Sequence, residues 1–477
     1  MRIRPVLSGL TLALLAAKPA FALDLAEAYQ KALNNDPSWA ATQHNFQATQ
    51  ENLNVSQAYL LPSLDLNGSI SHNSNKSAGV PGFFAGGTTE FRENQYGAKL
   101  TQPLFRADAW YAYKEAKAST SQAEADFHDQ QQQFILRVAQ SYFDVLRSQE
   151  SLEYSKAEEA ALGRQMDQAQ QRFDVGLIAI TDVLEARAQY DAARASRISA
   201  EAQLNTAREN LAIVIGDNSS TLAPLKADAP MSKPVPDTAD EWVKLARDKN
   251  PQLTSARYAY ETSKAATHQI KAAYLPNVDL YGQYNKVDIP NTDNNPALSL
   301  QKTTTTAFGV SATWNVFGGG RTYYAARQAS YKEAAAQDGV TAAERNVVSN
   351  TRTAFLNVAA NSFQVEARKQ AVKSNESAMA ATQAGYEVGT RNIVDVLLTE
   401  SNLYAAKRDY ASSRYDYVIN SLKLKAASGQ LSEVDIKELN NWLDPNGSIT
   451  ASPEAPAEST TPAASAPAKA KQPAKKK

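Results

Sequence analysis

The stretch AYLLPSLDL at residues 58–66 occurs a second time, as AAYLPNVDL, at residues 272–280. Farther along the chain, FDVG at 173–176 corresponds in the same way to YEVG at 386–389. The two offsets, 214 and 213 residues, are nearly equal, and both are far longer than a solenoid repeat. The sequence therefore predicts two copies of one structural module within a single chain.

Composition narrows the class of protein. The chain has 477 residues, no cysteine and a formal net charge of −1. The charge predicts no nucleic-acid partner, and the missing cysteine excludes disulfides, zinc–thiolate sites and thiol catalysis. Residues 1–22 carry Arg2 and Arg4, an apolar stretch and the sequence Ala-Phe-Ala, which is typical of a secretory signal peptide. No later apolar run reaches 18 residues, so the chain is expected to be soluble or to insert by β-strands.

Long helices are predicted from the scarcity of helix breakers. Residues 104–175 contain no proline and one glycine, and their counterpart 321–388 contains no proline and two glycines. A helix of about 66 residues is on the order of 100 Å long, which requires lateral packing as in a coiled coil. Glycine-containing turns near Gly176 and Gly389 lead into a second helix, so each repeat is predicted to form a helical hairpin.

Period-two alternation of apolar and polar residues predicts four strands. These strands cover residues 63–72, 94–105, 277–287 and 306–317. A soluble sandwich with a coiled-coil insertion is one interpretation, although four strands make a poor sandwich. The other is a membrane β-barrel, which needs about eight strands and tolerates no open edge in lipid. If the strands insert into a membrane, the chain must therefore oligomerise.

The predicted organisation follows from these elements. It comprises a signal peptide (1–22), a first repeat (23–217, with helical hairpin 107–215), a Pro-rich linker (218–237), a second repeat (238–443, with helical hairpin 321–428) and a disordered Pro/Ala/Lys tail (444–477). A further helical piece, over 25–59 or 239–274, leads into each pair of strands.

The strings RFDVGLIAITDV at 172–183 and AGYEVGTRNIVDV at 384–396, with the doubled motif above, resemble those of the TolC family of outer-membrane channels. The resemblance covers roughly residues 23–443. It implies a fold of α-helices plus a membrane β-barrel. In this fold a homotrimer forms a 12-stranded β-barrel within outer-membrane lipid, joined to a 12-helix α-barrel that extends into the periplasm.

The resemblance also assigns roles to residues near the hairpin tips. Channels of the family are closed by polar links between neighbouring hairpins, and the matching positions are Thr181, Asp182, Tyr386 and Arg391. A bond from Arg391 to Asp182 would be charge-assisted and therefore of the stronger kind. Asp395 matches a residue whose carboxylate, repeated around the axis, forms a constricting acidic ring.

Two features leave these roles open. One turn after Asp395 the family has a second acidic residue, but this chain has Leu398, and Glu400 is two positions off and need not face the lumen. Asp182 and Glu185 also fit a capping box, so Asp182 is expected to cap a helix, to gate the channel, or to do both.

The function implied by the resemblance is an exit duct for tripartite drug efflux, type I protein secretion, or both. The implied partners are a periplasmic adaptor (membrane-fusion) protein and an inner-membrane transporter, either ABC-type or proton-driven. A surface-anchored coiled-coil adhesin or stalk is the alternative. The sequence predicts no catalytic, cofactor or metal site, because the four histidines are scattered and Gly318-Gly319-Gly320 is not followed by the Lys-Ser/Thr of a phosphate loop.

Overall fold

The structure is a computed structural model, and it describes residues 22–78, 86–217, 221–290 and 301–447. The signal peptide before Ala22 and the predicted tail after Gly447 lie outside these ranges. The described chain divides into two compact units. Unit 1 contains the described parts of Met1–Leu146, Asn205–Gln370 and Ser412–Gly447, and unit 2 contains Arg147–Leu204 and Ala371–Ala411.

The elements follow the duplicated order predicted from the sequence, with one addition at the end. In chain order they are α1 Leu25–Asn35, α2 Pro37–Ala58, β1 Ser63–Ser77, β2 Gly87–Phe105, α3 Ala107–Asp174, α4 Ile180–Ile215, α5 Ala239–Lys249, α6 Pro251–Ala272, β3 Asn277–Ile289, β4 Gln301–Thr313, α7 Arg321–Glu387, α8 Ile393–Ala427 and α9 Glu433–Asn440. Helix α9 was not predicted, although Ser432 and Asp435 form a capping box at its start.

The helical piece before each strand pair consists of two helices separated by a break that was not predicted. The break falls at Asp36 in the first repeat and at Asn250 in the second. The Asp36 carboxylate accepts the N–H groups of Ser38 (2.7 Å) and Trp39 (3.2 Å), and Asn250 Oδ1 accepts that of Leu253 (3.1 Å). A proline follows each cap at the first helical position, where its missing N–H costs nothing.

Unit 1 contains a four-stranded antiparallel sheet in the order β1-β2-β3-β4. Strand β4 covers 301–313 instead of the predicted 306–317, because the Thr-rich run 303–306 pairs with β3 and its polar side chains hide the strand pattern. One face of the sheet is apolar and exposed, with Leu64 opposite Leu100 and Leu280 opposite Val310. The described chain contains no second sheet to cover this face, so the sandwich interpretation was wrong.

The duplication extends to the packing of unit 1. The Asn35 side-chain amide donates to the carbonyl of Ile215 (2.9 Å), and that of Asn250 donates to the carbonyl of Ala427 (2.9 Å). Each contact therefore fixes a helix break against the end of a long helix. Part of the predicted linker is packed as well, since the Tyr142 hydroxyl donates to the carbonyl of Ala223 (2.9 Å).

No helix in the described ranges has an apolar segment long enough to cross a membrane.

Candidate functional site

Unit 2 contains the two helix–turn–helix tips, and both turns have the same backbone geometry. Gly176 ends α3 with φ +78°, and the N–H of Leu177 donates to the carbonyl of Arg172 (2.9 Å). Gly389 ends α7 with φ +80°, and the N–H of Thr390 donates to the carbonyl of Gly385 (2.8 Å). Both are Schellman caps, which favour glycine because only glycine adopts positive φ without a steric penalty.

A buried apolar cluster joins the four helices of unit 2 just behind these turns. Its members are Leu162 and Ala169 of α3, Val183, Ala186 and Ala193 of α4, Tyr386 of α7, and Ile393, Val396 and Leu397 of α8. Partly buried side chains, including Phe173 and Ile178, pack against it. The cluster packs together the start of α4, the end of α7 and the start of α8, where all five candidate residues lie or immediately adjoin.

Asp182 lies inside the first turn of α4, because this helix begins two residues earlier, at Ile180. Its N–H donates to the carbonyl of Ala179 (3.2 Å). The capping-box interpretation of Asp182 was therefore wrong, since an N-cap residue must precede the helix. Asp395 lies in the first turn of α8, where its N–H donates to Asn392 Oδ1 (2.8 Å).

Arg391 forms an ion pair within its own tip. Its Nη1 lies 3.6 Å from Asp395 Oδ2, and the two side chains are 60% and 39% exposed. Thr181 is exposed, and the Asp182 carboxylate has no ion-pair partner among the described residues. No hydrogen bond or ion pair joins any two of Thr181, Asp182, Tyr386 and Arg391 within the described chain.

Tyr386 is 8% exposed, and its hydroxyl is buried without a hydrogen-bond partner in the described chain. The guanidinium carbon of Arg172 lies 4.7 Å from the centre of its ring. Sequence reasoning missed this contact. Arg172 stands in the quoted family string, but nothing in the string says which ring its side chain covers.

Glu400 lies in unit 2 and is 8% exposed, with Oε2 unpaired within the described residues. Burial raises the pKa of this carboxyl to about 7, although Arg164 and a hydrogen bond with Gln165 lower it. Glu158, which is also buried and pairs with Arg408, raises it further. Glu400 is therefore a buried group of the helix bundle, and in the described chain it is not an exposed neighbour of Asp395.

Other sequence features have no site in the described residues. All four histidines are exposed, and no group of three His, Cys, Asp or Glu residues in the described ranges could hold a metal ion. Gly319 and Gly320 take positive φ (63° and 84°) immediately before α7 begins at Arg321, so the glycines serve the strand-to-helix junction.

A protein-family model described as "Outer membrane efflux protein" matches the chain twice, over residues 28–217 and 242–430. The two matches are offset like the repeated motifs. Among curated proteins, the chain is 34% identical over 426 residues to "Outer membrane protein TolC" of Vibrio cholerae, covering 89% of this chain and 94% of the relative. It is 33% identical over 466 residues to the protein of the same name from Escherichia coli, covering 96% and 92%.

A more distant relative is "Alkaline protease secretion protein AprF" of Pseudomonas aeruginosa, 28% identical over 435 residues, covering 89% of this chain and 88% of the relative. Among solved structures, CusC has a TM-score of 0.72 at 17% identity and covers 90% of this chain and 98% of its own. The outer membrane protein VceC of Vibrio cholerae also has a TM-score of 0.72 at 17% identity, covering 85% and 96%.

Proposed function

Since the chain belongs to the outer membrane efflux protein family, we propose that its hairpin tips form the gate of a channel. The chain is an outer-membrane channel for efflux and type I secretion, and it extends into the periplasm. Its fold combines long helical hairpins with membrane β-strands. The family is one of channels and not of enzymes, and no catalytic role is proposed for this chain.

The proposed assembly is a homotrimer. Strands β1 and β4 are the edges of the four-stranded sheet, and each has one unpaired side within the described chain. An unpaired edge costs several kcal/mol per backbone group in lipid, so neighbouring chains must supply the missing partners. Three copies give a closed 12-stranded barrel, and the exposed apolar face of the sheet would then contact lipid.

The proposed gate consists of polar links between hairpins, made by Thr181, Asp182, Tyr386 and Arg391. The observation that supports it is that the Asp182 carboxylate and the Tyr386 hydroxyl have no partner among the described residues. Arg391 is exposed and can exchange its weak surface pair for Asp182 of a neighbouring chain. Asp395, at the start of α8, is proposed to line the constriction.

Opening requires a partner that binds the open state better than the closed state. The proposed partners are a periplasmic adaptor that contacts the surface near Gly176 and Gly389, and an inner-membrane transporter that supplies energy. Both turns present exposed aliphatic side chains, among them Val175, Leu177 and Val388, which suits a protein contact.

The test of the gate is single-channel conductance of the purified protein in planar bilayers. Asp182→Asn and Arg391→Gln should each raise the conductance, because each removes one side of the charge-assisted link. Unchanged conductance in both variants would refute the proposed gate. Antibiotic hypersensitivity of a deletion strain tests the efflux role, which the adhesin alternative does not predict.

A further inference from the structure

Arg172 belongs to the first repeat and Tyr386 to the second, so their contact crosses between the two hairpins of one chain. The guanidinium carbon is 4.7 Å from the ring centre, within the range of a cation–π interaction. Tyr386 is also part of the buried cluster. A cation over a largely desolvated ring is attracted more strongly than one over an exposed ring.

Both partners are anchored at equivalent caps. The carbonyl of Arg172 accepts the closing bond of the first Schellman turn, and the carbonyl of Tyr386 accepts the N–H of Gly389 (3.1 Å) in the second. Any separation of the hairpins near their tips therefore has to pull the arginine from the ring or to unwind a cap.

The two repeats differ at this point. The second repeat has Gly385 where the first has Arg172. A Cβ at Gly385 would lie only 2.8 Å from Cγ of Arg391, so the glycine makes room for that side chain. Arg172 therefore has no equivalent in the second repeat, and this cation–π contact has no counterpart there among the described residues.

We infer that Arg172 is a positioning residue of the gate, which holds the Tyr386 ring and with it the second hairpin in the closed arrangement. The inference rests on the proposed gating function and extends it to a residue outside the four polar links. It differs from a purely structural role, in which Arg172 only stabilises the C-terminal end of α3 through the helix dipole.

A double-mutant cycle measured by open probability in planar bilayers separates these roles. Arg172→Gln should raise the open probability about fivefold, and Arg172→Lys, which keeps the charge but stacks less well, about twofold. The effect of Arg172→Gln should persist when it is combined with Tyr386→Phe, which keeps the ring. It should disappear beside Tyr386→Leu, which removes the ring.

Arg187→Gln is the matched control, because Arg187 is exposed on α4 of the same unit. It should leave the open probability unchanged. Trimer melting should be nearly equal in the unmodified chain, the two Arg172 variants and Arg187→Gln, since Arg172 is only partly buried. Tyr386→Leu removes a buried ring and should lower the melting temperature by itself, so each double variant is compared with Tyr386→Leu alone. If Arg172→Gln does not assemble, Arg172→Lys with and without Tyr386→Leu gives the same comparison.

The inference is overturned if Arg172→Gln behaves like the unmodified chain, or if its effect is equally large beside Tyr386→Leu. Asp182→Asn, measured in parallel, distinguishes this failure from failure of the proposed gate. If only Asp182→Asn raises the open probability, the proposed polar links stand and the inferred role of Arg172 is refuted. If only Arg172→Gln raises the open probability, the role of the Arg172–Tyr386 contact stands and the proposed polar links are refuted.

Discussion

Arg391 and Asp395 form an ion pair across the start of α8, with Nη1 3.6 Å from Oδ2. The pair lies at the tip that is proposed to constrict the channel, so the cation offsets part of the charge of the acidic ring. Asp395→Asn should therefore lower the preference for cations, and Arg391→Gln should raise it. An exposed pair is worth at most about 1 kcal/mol, so each change should alter the permeability ratio by at most about fivefold.

The readout is the reversal potential in a salt gradient, which reports the ratio of cation to anion permeability and does not depend on the number of open channels. Shifts of the same sign in the two variants would show that Arg391 does not screen Asp395. A reversal potential unaltered by Asp395→Asn would show that this carboxylate does not line the pore.

The buried carboxyl of Glu400 predicts a pH dependence of stability. Its pKa in the folded chain, about 7, is above the ordinary value of 4.5, so folding favours the protonated form. The resulting stability is full below about pH 4.5 and is lost as the pH rises through 7, with a total on the order of 3 kcal/mol. The channel should therefore melt at a higher temperature at pH 6 than at pH 8.

Glu400→Gln is the control for this prediction, since it is neutral at every pH. Its melting temperature should be nearly equal at pH 6 and pH 8. Equal pH slopes in the two proteins would show that Glu400 does not titrate in this range.

The Schellman caps predict opposite effects of alanine at two glycines of α7 and its turn. Gly389 has φ +80°, so Gly389→Ala should destabilise the chain by about 1 kcal/mol. Gly339 lies inside α7, does not have positive φ and has open space around its Cα, so Gly339→Ala should stabilise by about 0.5–1 kcal/mol. Thermal unfolding followed by circular dichroism measures both. Stability changes of the same sign in the two variants would contradict the assignment of a Schellman cap at Gly389.

The exposed face of the sheet predicts which positions tolerate charge. Phe308 is 89% exposed on the apolar face, and Phe308→Lys should cost about 2–4 kcal/mol if that face contacts lipid near mid-membrane. Gln283 is on the opposite face, opposite Ala307, and Gln283→Lys should be tolerated. The amount of folded trimer in outer-membrane fractions measures the difference. Equal yields would refute a lipid-facing role for this surface.

Much of the fold could be predicted because it depends on long-period patterns. The repeated motifs predicted the duplication, and the lack of proline predicted the lengths of α3 and α7. The breaks at Asp36 and Asn250 were missed although a proline follows each of them, because a strong helical pattern continues on either side. Strand β4 was misplaced since Thr side chains carry no apolar alternation.

The candidate site was harder to predict because its contacts depend on side-chain direction. The family strings identified Asp182 and Arg391, but the sequence could not show that the Arg391 side chain turns toward Asp395 of its own tip. The position of Arg172 over Tyr386 joins residues more than 200 positions apart. Such a contact follows from the packing of two hairpins, which no local pattern encodes.

The first repeat has Arg172 at the position where the second has Gly385, and this difference has a consequence for the symmetry of a channel built from such chains. A ring of three such chains would present six tips of two alternating kinds, one carrying Arg172 and the other carrying the Tyr386 ring that it covers. The mouth of the duct would then widen with threefold and not sixfold symmetry, and the two sets of tips could move at different stages.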